Sequence, residues 1–455
     1  MSWVARGCRH VPYALASQVI FIRLDERMRG FRSLEQWELL PYIGKWLLIA
    51  SFVAVLAGTA SAWFLIALAW ATRTREITPW LPALLPVAGF VIGWVYFRLG
   101  KPVEAGNNLL IDEIHDPRKV VPLRMVPLVF AGTIASHLFG ASVGREGTAV
   151  QMGGALADQL TGVLRLRHED RRVLLMAGMS AGFAAVFGTP LAGALFGLEV
   201  LAIGKLRYDA LLPCMIAGIV ADRVCVAWGV HHTAYVVGAV APLNVWTVLS
   251  VLVAGLVFGV VGMLFATATH RFGALVKSLI AYPPLRPFFG GIVIAVSVYL
   301  LHTEAYIGLG IPTIVAAFDH PLPWWDSVSK FGYTVFSLGT GFKGGEVTPL
   351  FFIGATLGNS LAPLLHLPFA MLAGLGFVAV FAGAANTPLA TTVMAIELFG
   401  PQIAPFAALA CVAAYLFSGH TGIYHAQRLG RSKYPRRLPE DLRLGDVAEW
   451  RRRNR

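Results

Sequence analysis

The sequence predicts an all-α polytopic membrane protein, and three observations predict it. The 455-residue chain is 56% hydrophobic and only 14% charged, whereas soluble domains carry about 25% charged residues. Apolar runs recur that reach the roughly 20 residues a helix needs to cross a bilayer. Examples are "WLLIASFVAVLAGTASAWFLIALAW" (46–70), "WLPALLPVAGFVIGWVYF" (80–97) and "WTVLSVLVAGLVFGVVGMLFATA" (246–268). These runs are continuous, not alternating. Continuity favours helices over a closed barrel, the other structure that leaves no backbone group unpaired in lipid.

The elements divide as follows. Residues 1–42 read as a cytoplasmic amphipathic segment, because "VPYALASQVIFIRLDERMRGF" has too short an apolar core for a signal peptide and no small-residue cleavage site. Residues 43–230 and 231–426 read as two transmembrane halves, and 427–455 as a basic cytoplasmic tail. The net charge is +12, with six Arg in the first 32 residues and ten Lys or Arg from Arg428 onward. Beside membrane spans this is the positive-inside pattern, not a nucleic-acid surface, and it predicts that both termini are cytoplasmic.

Several apolar segments are short or interrupted by Gly and Pro: 120–140, 187–201 and 348–365. They predict helices that stop partway through the membrane, tolerated only where protein or a polar cavity meets the freed backbone groups. An internal echo runs through the same segments. "GREGTAVQMGGA" (144–155) aligns with "GGEVTPLFFIGA" (344–355), and "TPLAGALFGLEV" (189–200) with "TPLATTVMAIEL" (387–398). The common order predicts two pseudo-symmetric halves with a site at their interface.

Chemistry-bearing motifs are few. There is no P-loop and no HExxH pattern. Cys8, Cys214, Cys225 and Cys411 are scattered and define neither a metal site nor a disulfide framework. The acids of "IDEIHD" (111–116) read as interfacial and solvated. No cofactor, metal or nucleic acid is expected. Three glycine-led segments stand out: "AGNNLLIDEI" (105–114), "VGREGTAVQMGG" (143–154) and "GFKGGEVTPLFF" (341–352). Each puts glycine and polar residues before a helix-like run. A helix start offers free N–H donors and about half a positive charge, which together make an anion site. Three such starts can hold an anion without a full cation, from which it would leave slowly.

These residues resemble the CLC family of chloride channels and proton/anion exchangers. "GREGTAVQMG" is similar to that family's GREGP signature, "AGMSAGFAAVFGTPLAGALFGLE" (177–199) to the alanine-rich segment after it, and "GFKGGEVTPLFFIGATLG" (341–358) to its later GxFxP element. Tyr424 occupies the expected place of the filter tyrosine. The resemblance, running from about residue 45 to 426, implies the CLC fold: two inverted halves with broken, half-spanning helices. It also implies a homodimer with one path per subunit. The paired nucleotide-binding domains of some relatives are not expected, given the short basic tail.

The departures are informative. Asn107 in "AGNNLL" stands where the chloride filter has serine, and "GLGIP" (308–312) lies too late in the chain to be that filter. Thr148 replaces the GREGP proline. Glu346, Val347 and Thr348 replace a plain apolar pattern. Glu199 matches the first of a Glu pair whose second member, a proton relay in many exchangers, is Val200 here. These departures resemble the fluoride-exporting branch, which exchanges fluoride for protons across an inner membrane. The resemblance then implies roles. Glu146 gates the path and carries the proton. Glu346, favoured in its protonated form by burial and a neighbouring anion, donates to fluoride and carries a proton. Asn107, Gly144, Arg145, Gly147, Val347, Thr348 and Tyr424 surround the anion, with Arg145 pairing to carbonyls or an acid. Fluoride is strongly hydrated, so it must be offered several good donors, and Asn supplies two N–H where Ser supplies one O–H. Glu199 and Glu397 read as helix-facing structural acids. His137, His302, His366 and His420 carry no assigned role. A chloride/proton exchanger or channel of the same fold is the alternative. An intramembrane enzyme using Glu146 and Glu346 as an acid/base pair is a remote one, lacking a nucleophile.

Overall fold

A computed structural model describes residues 36–435 and 438–454. The expected amphipathic segment lies outside the described residues up to position 35. The chain separates into two compact units, residues 1–49 and Ala50–Arg455. In the first, the described residues belong to helix α1 (Gln36–Glu76), so the anticipated division at 42/43 falls inside a helix.

The second unit carries the remaining helices. The first half continues with α2 (Leu85–Val95), α3 (Asn107–His115), α4 (Met125–Leu138), α5 (Glu146–Val163), α6 (His168–Phe187), α7 (Pro190–Glu199) and α8 (Leu211–Ala227). The second half holds α9 (Val245–Leu279), α10 (Leu285–Leu301), α11 (Ile311–Asp319), α12 (Trp325–Thr340), α13 (Val347–Leu365), α14 (Phe369–Ala385), α15 (Pro388–Phe399) and α16 (Ala404–Phe417). Among the described residues five helical stretches are long and apolar enough to cross a membrane, and five shorter apolar helices have 10–17 residues. Of the three segments expected to stop partway, 120–140 and 187–201 hold the short helices Met125–Leu138 and Pro190–Glu199, whereas Val347–Leu365 is long and apolar enough to cross a membrane.

The helices that lie between the echoed segments, α6 and α14, form the core. Every residue of α6 from Val173 to Phe187, and of α14 from Met371 to Ala385, is buried. Such all-round apolar, Ala- and Gly-rich helices belong inside a bundle. Each packs on the helix before it, backbone against backbone: a Cβ on Gly153 would lie 2.2 Å from the Gly178 carbonyl oxygen, and one on Gly354 2.0 Å from that of Gly376.

Helices α7 and α15 show that the halves are inverted. Both begin at a Thr-Pro pair, where proline presets the helical φ, and neither has a side-chain cap of its own. The cap comes from the other helix. Glu199, at the end of α7, accepts the N–H groups of Leu389 and Ala390 at 3.0 and 2.8 Å. Glu397, near the end of α15, accepts those of Leu191 and Ala192 at 2.9 and 2.8 Å. Each carboxylate lies at the start of an antiparallel partner, where the helix dipole favours it. Both are therefore helix-facing structural acids, as anticipated. Glu199→Ala leaves two amides without acceptors, at about 1–3 kcal/mol each. Its melting temperature in detergent is expected to fall by several degrees, and that of Glu199→Gln by less.

Candidate anion and proton site

The site is built where the starts of α5 and α13 meet. Gly144 N–H donates to Gly345 O at 2.6 Å, and Gly345 N–H to Gly144 O at 2.8 Å. This two-residue antiparallel bridge joins the two echoed loops. No side chain fits in it: a Cβ on Gly144 would lie 2.9 Å from Gly345 O, and one on Gly345 2.8 Å from Gly147 N. The glycines of "GREG" and "GGE" are thus required by backbone approach. One expectation is corrected here. The Gly144 N–H is spent on Gly345, so this residue shapes the loop and does not offer an amide to an anion.

Glu146 is the first residue of α5 and is fully buried. Its carboxylate does not serve its own helix. It accepts the Thr348 N–H at 3.0 Å and the Thr348 hydroxyl, both in the first turn of α13. Arg145 adds its N–H at 3.2 Å and its Nε at 3.3 Å. Hence the acid that pairs with Arg145 is Glu146 itself. An amide without an intrahelical acceptor, a hydroxyl and the positive end of a helix dipole are what a small anion needs. The carboxylate fills that place.

Asn107, Gly147 and Glu346 gather on the other side of the bridge. Gly106, with φ of +59°, turns the chain so that α3 starts at Asn107. A Cβ on Gly147 would lie 3.2 Å from Asn107 Nδ2 and 4.0 Å from Glu346 Oε2. The first-turn amides of Gly147 and Val347 have no intrahelical acceptor. Thr148, in place of the proline, shares a 2.7 Å hydrogen bond with buried Thr133. Tyr424 is 3% exposed and lies 6.4 Å, ring to ring, from Phe196.

Two cavities end at this junction. The wide one, about 710 Å³, is lined by Asn107, Thr148, Glu346 and Tyr424 and by the last turns of α9 from Thr269 to Lys277. The narrow one, about 10 Å³, is lined by Arg145, Glu146 and Thr348 together with His232, Thr233 and Tyr235, which precede α9. Helix α9 has 35 residues and is therefore about 52 Å long at 1.5 Å per residue. The wide cavity thus lies at the C-terminal end of a spanning helix and the narrow one beside the segment that leads into its start, with the Glu146 side chain lining the narrow one. Ile311, the residue after Gly310 in "GLGIP", lines the narrow cavity, so that segment is not part of the Asn107 site. In Thr348→Val the hydroxyl donor is lost and the amide kept. Passive anion leak is expected to rise several-fold in liposome efflux, since Glu146 is then held less firmly.

Other residues around the site were not anticipated. Asn108 accepts the Ala426 N–H at 2.9 Å and so ties α3 to the Tyr424 loop. His270 meets Gly422 O at 3.2 Å, and Gly445 N–H donates to His425 O at 3.1 Å. The basic tail therefore supports the loop, aided by the parallel pair β1 (Ala202–Ile203) and β2 (Arg428–Leu429) and by the short α17 (Val447–Arg453). The acids of 111–116 have arginine partners: Asp112 with Arg443 at 2.5 Å, Glu113 with Arg171 at 3.0 Å and Asp116 with Arg118 at 2.5 Å. His137 is packed inside α4, whereas His302 and His366 terminate α10 and α13.

Helix starts meeting at a buried carboxylate beside two cavities, among helices apolar enough to cross a membrane, fit a membrane ion-pathway protein. The chain belongs to the voltage gated chloride channel family, the CLC proteins: residues 88–419 match that family. It is 69% identical over 430 residues to the "Chloride/fluoride channel protein" of Pseudomonas syringae pv. tomato, covering 93% of this chain and 95% of that one. The "H(+)/Cl(-) exchange transporter ClcA" of Vibrio vulnificus is 28% identical over 388 residues, 77% of this chain and 81% of that protein. Among solved structures, a CLC-type fluoride/proton antiporter superposes with a TM-score of 0.82 at 36% identity, covering 84% of this chain and 98% of that one. A slow cyanobacterial Cl−/H+ antiporter, at 20% identity and a TM-score of 0.72 over 82% of this chain and 94% of that one, shares the fold.

Proposed function

We propose that this protein is a fluoride/proton antiporter that exports fluoride at the expense of the proton gradient. One observation carries the reading: the Glu146 carboxylate occupies an anion site at the start of α13, beside two cavities. Ionised, it competes with any anion for Thr348. Protonated, it loses the charge that the helix start favours, and the place is open to fluoride. One side chain then couples the two flows. The likeness to proteins named for fluoride supports the choice of ion, as do Asn107, Glu346 and Tyr424 around the wide cavity.

The same proposal sets orientation and assembly. Lys101, Lys277, Arg286 and Lys343 line the wide cavity, while residues 228–244, on the narrow side, contain no Lys or Arg. The positive-inside rule makes the wide cavity cytoplasmic and the narrow one external. Fluoride enters from the wide side, passing Asn107, Tyr424 and Glu346. The protein sits in the inner membrane as a homodimer with one path per subunit, as the family resemblance implies. Proteoliposomes loaded with fluoride and read with a fluoride electrode test the function. Imposing external acid is expected to drive fluoride out uphill, with little chloride movement under matched conditions. Chloride flux equal to fluoride flux would replace this reading with the chloride/proton exchanger.

A further inference from the structure

Glu146 is fully buried and covered by Thr348 and Arg145, so a proton arriving from outside needs a route to it. The narrow cavity supplies an approach, since Glu146 is one of its lining residues. Five of its eleven lining residues are apolar: Phe187, Ile311, Phe351, Phe377 and Leu398. Besides Glu146, its ionisable groups are Arg145, Tyr235 and His232. Arginine stays charged, and a tyrosine phenol titrates near pH 10. Histidine alone among the three exchanges protons near neutral pH.

His232 sits in a shaped niche. Gly188, the left-handed cap that ends α6, carries no side chain, and a Cβ there would lie 2.5 Å from His232 Cδ2. The ring therefore rests at a helix C-terminus, which favours imidazolium. Its Nε2 is 3.8 Å from Oδ1 of buried Asp222 and has no hydrogen-bond partner among the described residues. Asp222 in turn pairs with Arg223 at 2.5 Å. The cavity volume of about 10 Å³ is close to the minimum for one water molecule.

We infer that His232 is a proton-transfer residue that delivers external protons to Glu146. The inference rests on the gating role proposed for Glu146. A proton from the external solution binds the neutral imidazole. The imidazolium passes it to a Glu146 carboxylate oxygen, directly or through one water. The products are a neutral carboxyl group and a neutral imidazole, which is recharged from outside. Burial and then the Arg145 guanidinium push the His232 imidazole below its ordinary value, and Asp222 pulls it back. An imidazole so lowered gives up a proton readily and is not a fixed charge.

The test is proton-driven fluoride export from proteoliposomes as external pH is varied. His232→Ala is expected to be slower by about 10-fold or more at external pH 7, within the range that positioned acid–base groups contribute. Its rate should depend less on external pH, and imidazole added outside should restore it. If the alanine variant fails to fold, His232→Gln keeps a polar group in the Gly188 niche and is expected to show the same flattened pH profile. In a Glu146→Gln background, where no proton is accepted, His232→Ala is expected to leave passive fluoride flux unchanged. An unaltered rate and pH profile would overturn the inference. So would a slowing that imidazole does not restore, or an equal slowing in the Glu146→Gln background. Failure of the underlying gate reading shows separately, as proton-driven pumping by Glu146→Gln alone.

Discussion

Glu146→Gln is expected to lose uphill fluoride extrusion while keeping a passive fluoride path. The amide is nearly isosteric with the carboxyl group but neutral at every pH. It cannot carry a proton, and it does not compete as an anion for the Thr348 amide and hydroxyl that hold the carboxylate. The positive end of α13 is then available to fluoride at all times. Coupled export in proteoliposomes is expected to drop by at least about 100-fold, the scale of losing a proton-transfer group. Downhill fluoride efflux should persist and lose its dependence on external pH. A fluoride electrode together with a pH-sensitive dye inside the vesicles reads both flows. Fluoride movement against its gradient in this variant would remove Glu146 from the gate.

Much of this site is legible in the chain because its parts are local. Arg145 and Glu146 stand together in an apolar context, and the glycine-led starts "GREG", "GGE" and "AGNN" are contiguous in sequence. The echo of 144–155 in 344–355 points to the pairing of α5 with α13, since inverted halves bring equivalent loops together. What the residues do at long range is harder to read. Gly144 looks like a donor from its place before a helix, yet its N–H is consumed by Gly345, a partner only the fold supplies. Glu199 and Glu397 are recognisable as acids facing a helix, but not as mutual caps, because each binds amides some 190 to 206 positions away. The tie between Asn108 and Ala426 spans 318 positions. His232 sits in a loop without a motif; its meaning comes from Gly188 and Asp222. Hydropathy and turn chemistry record local choices, whereas these contacts belong to tertiary structure.

Asn107→Ser is expected to erode the preference for fluoride over chloride without stopping transport. Asn107 begins α3 and is 8% exposed, with its Nδ2 directed to the region of Gly147 and Glu346. Serine replaces two N–H donors by a single shorter O–H. A hydrogen bond to a charged group contributes about 1.5–3 kcal/mol, which corresponds to roughly 10- to 150-fold in relative affinity. The loss falls more heavily on fluoride. It is the smaller and more strongly hydrated ion, so it gives up more on leaving water and depends more on each donor. Chloride, bulkier and more weakly hydrated, also gains room from the shorter side chain. The fluoride-to-chloride rate ratio from parallel liposome efflux is therefore expected to fall by at least about tenfold, with Glu146-dependent proton coupling retained. An Asn107→Ser protein that keeps its selectivity while exchanging at the parental rate would place discrimination elsewhere along the wide cavity, at Glu346, Thr348 or Tyr424.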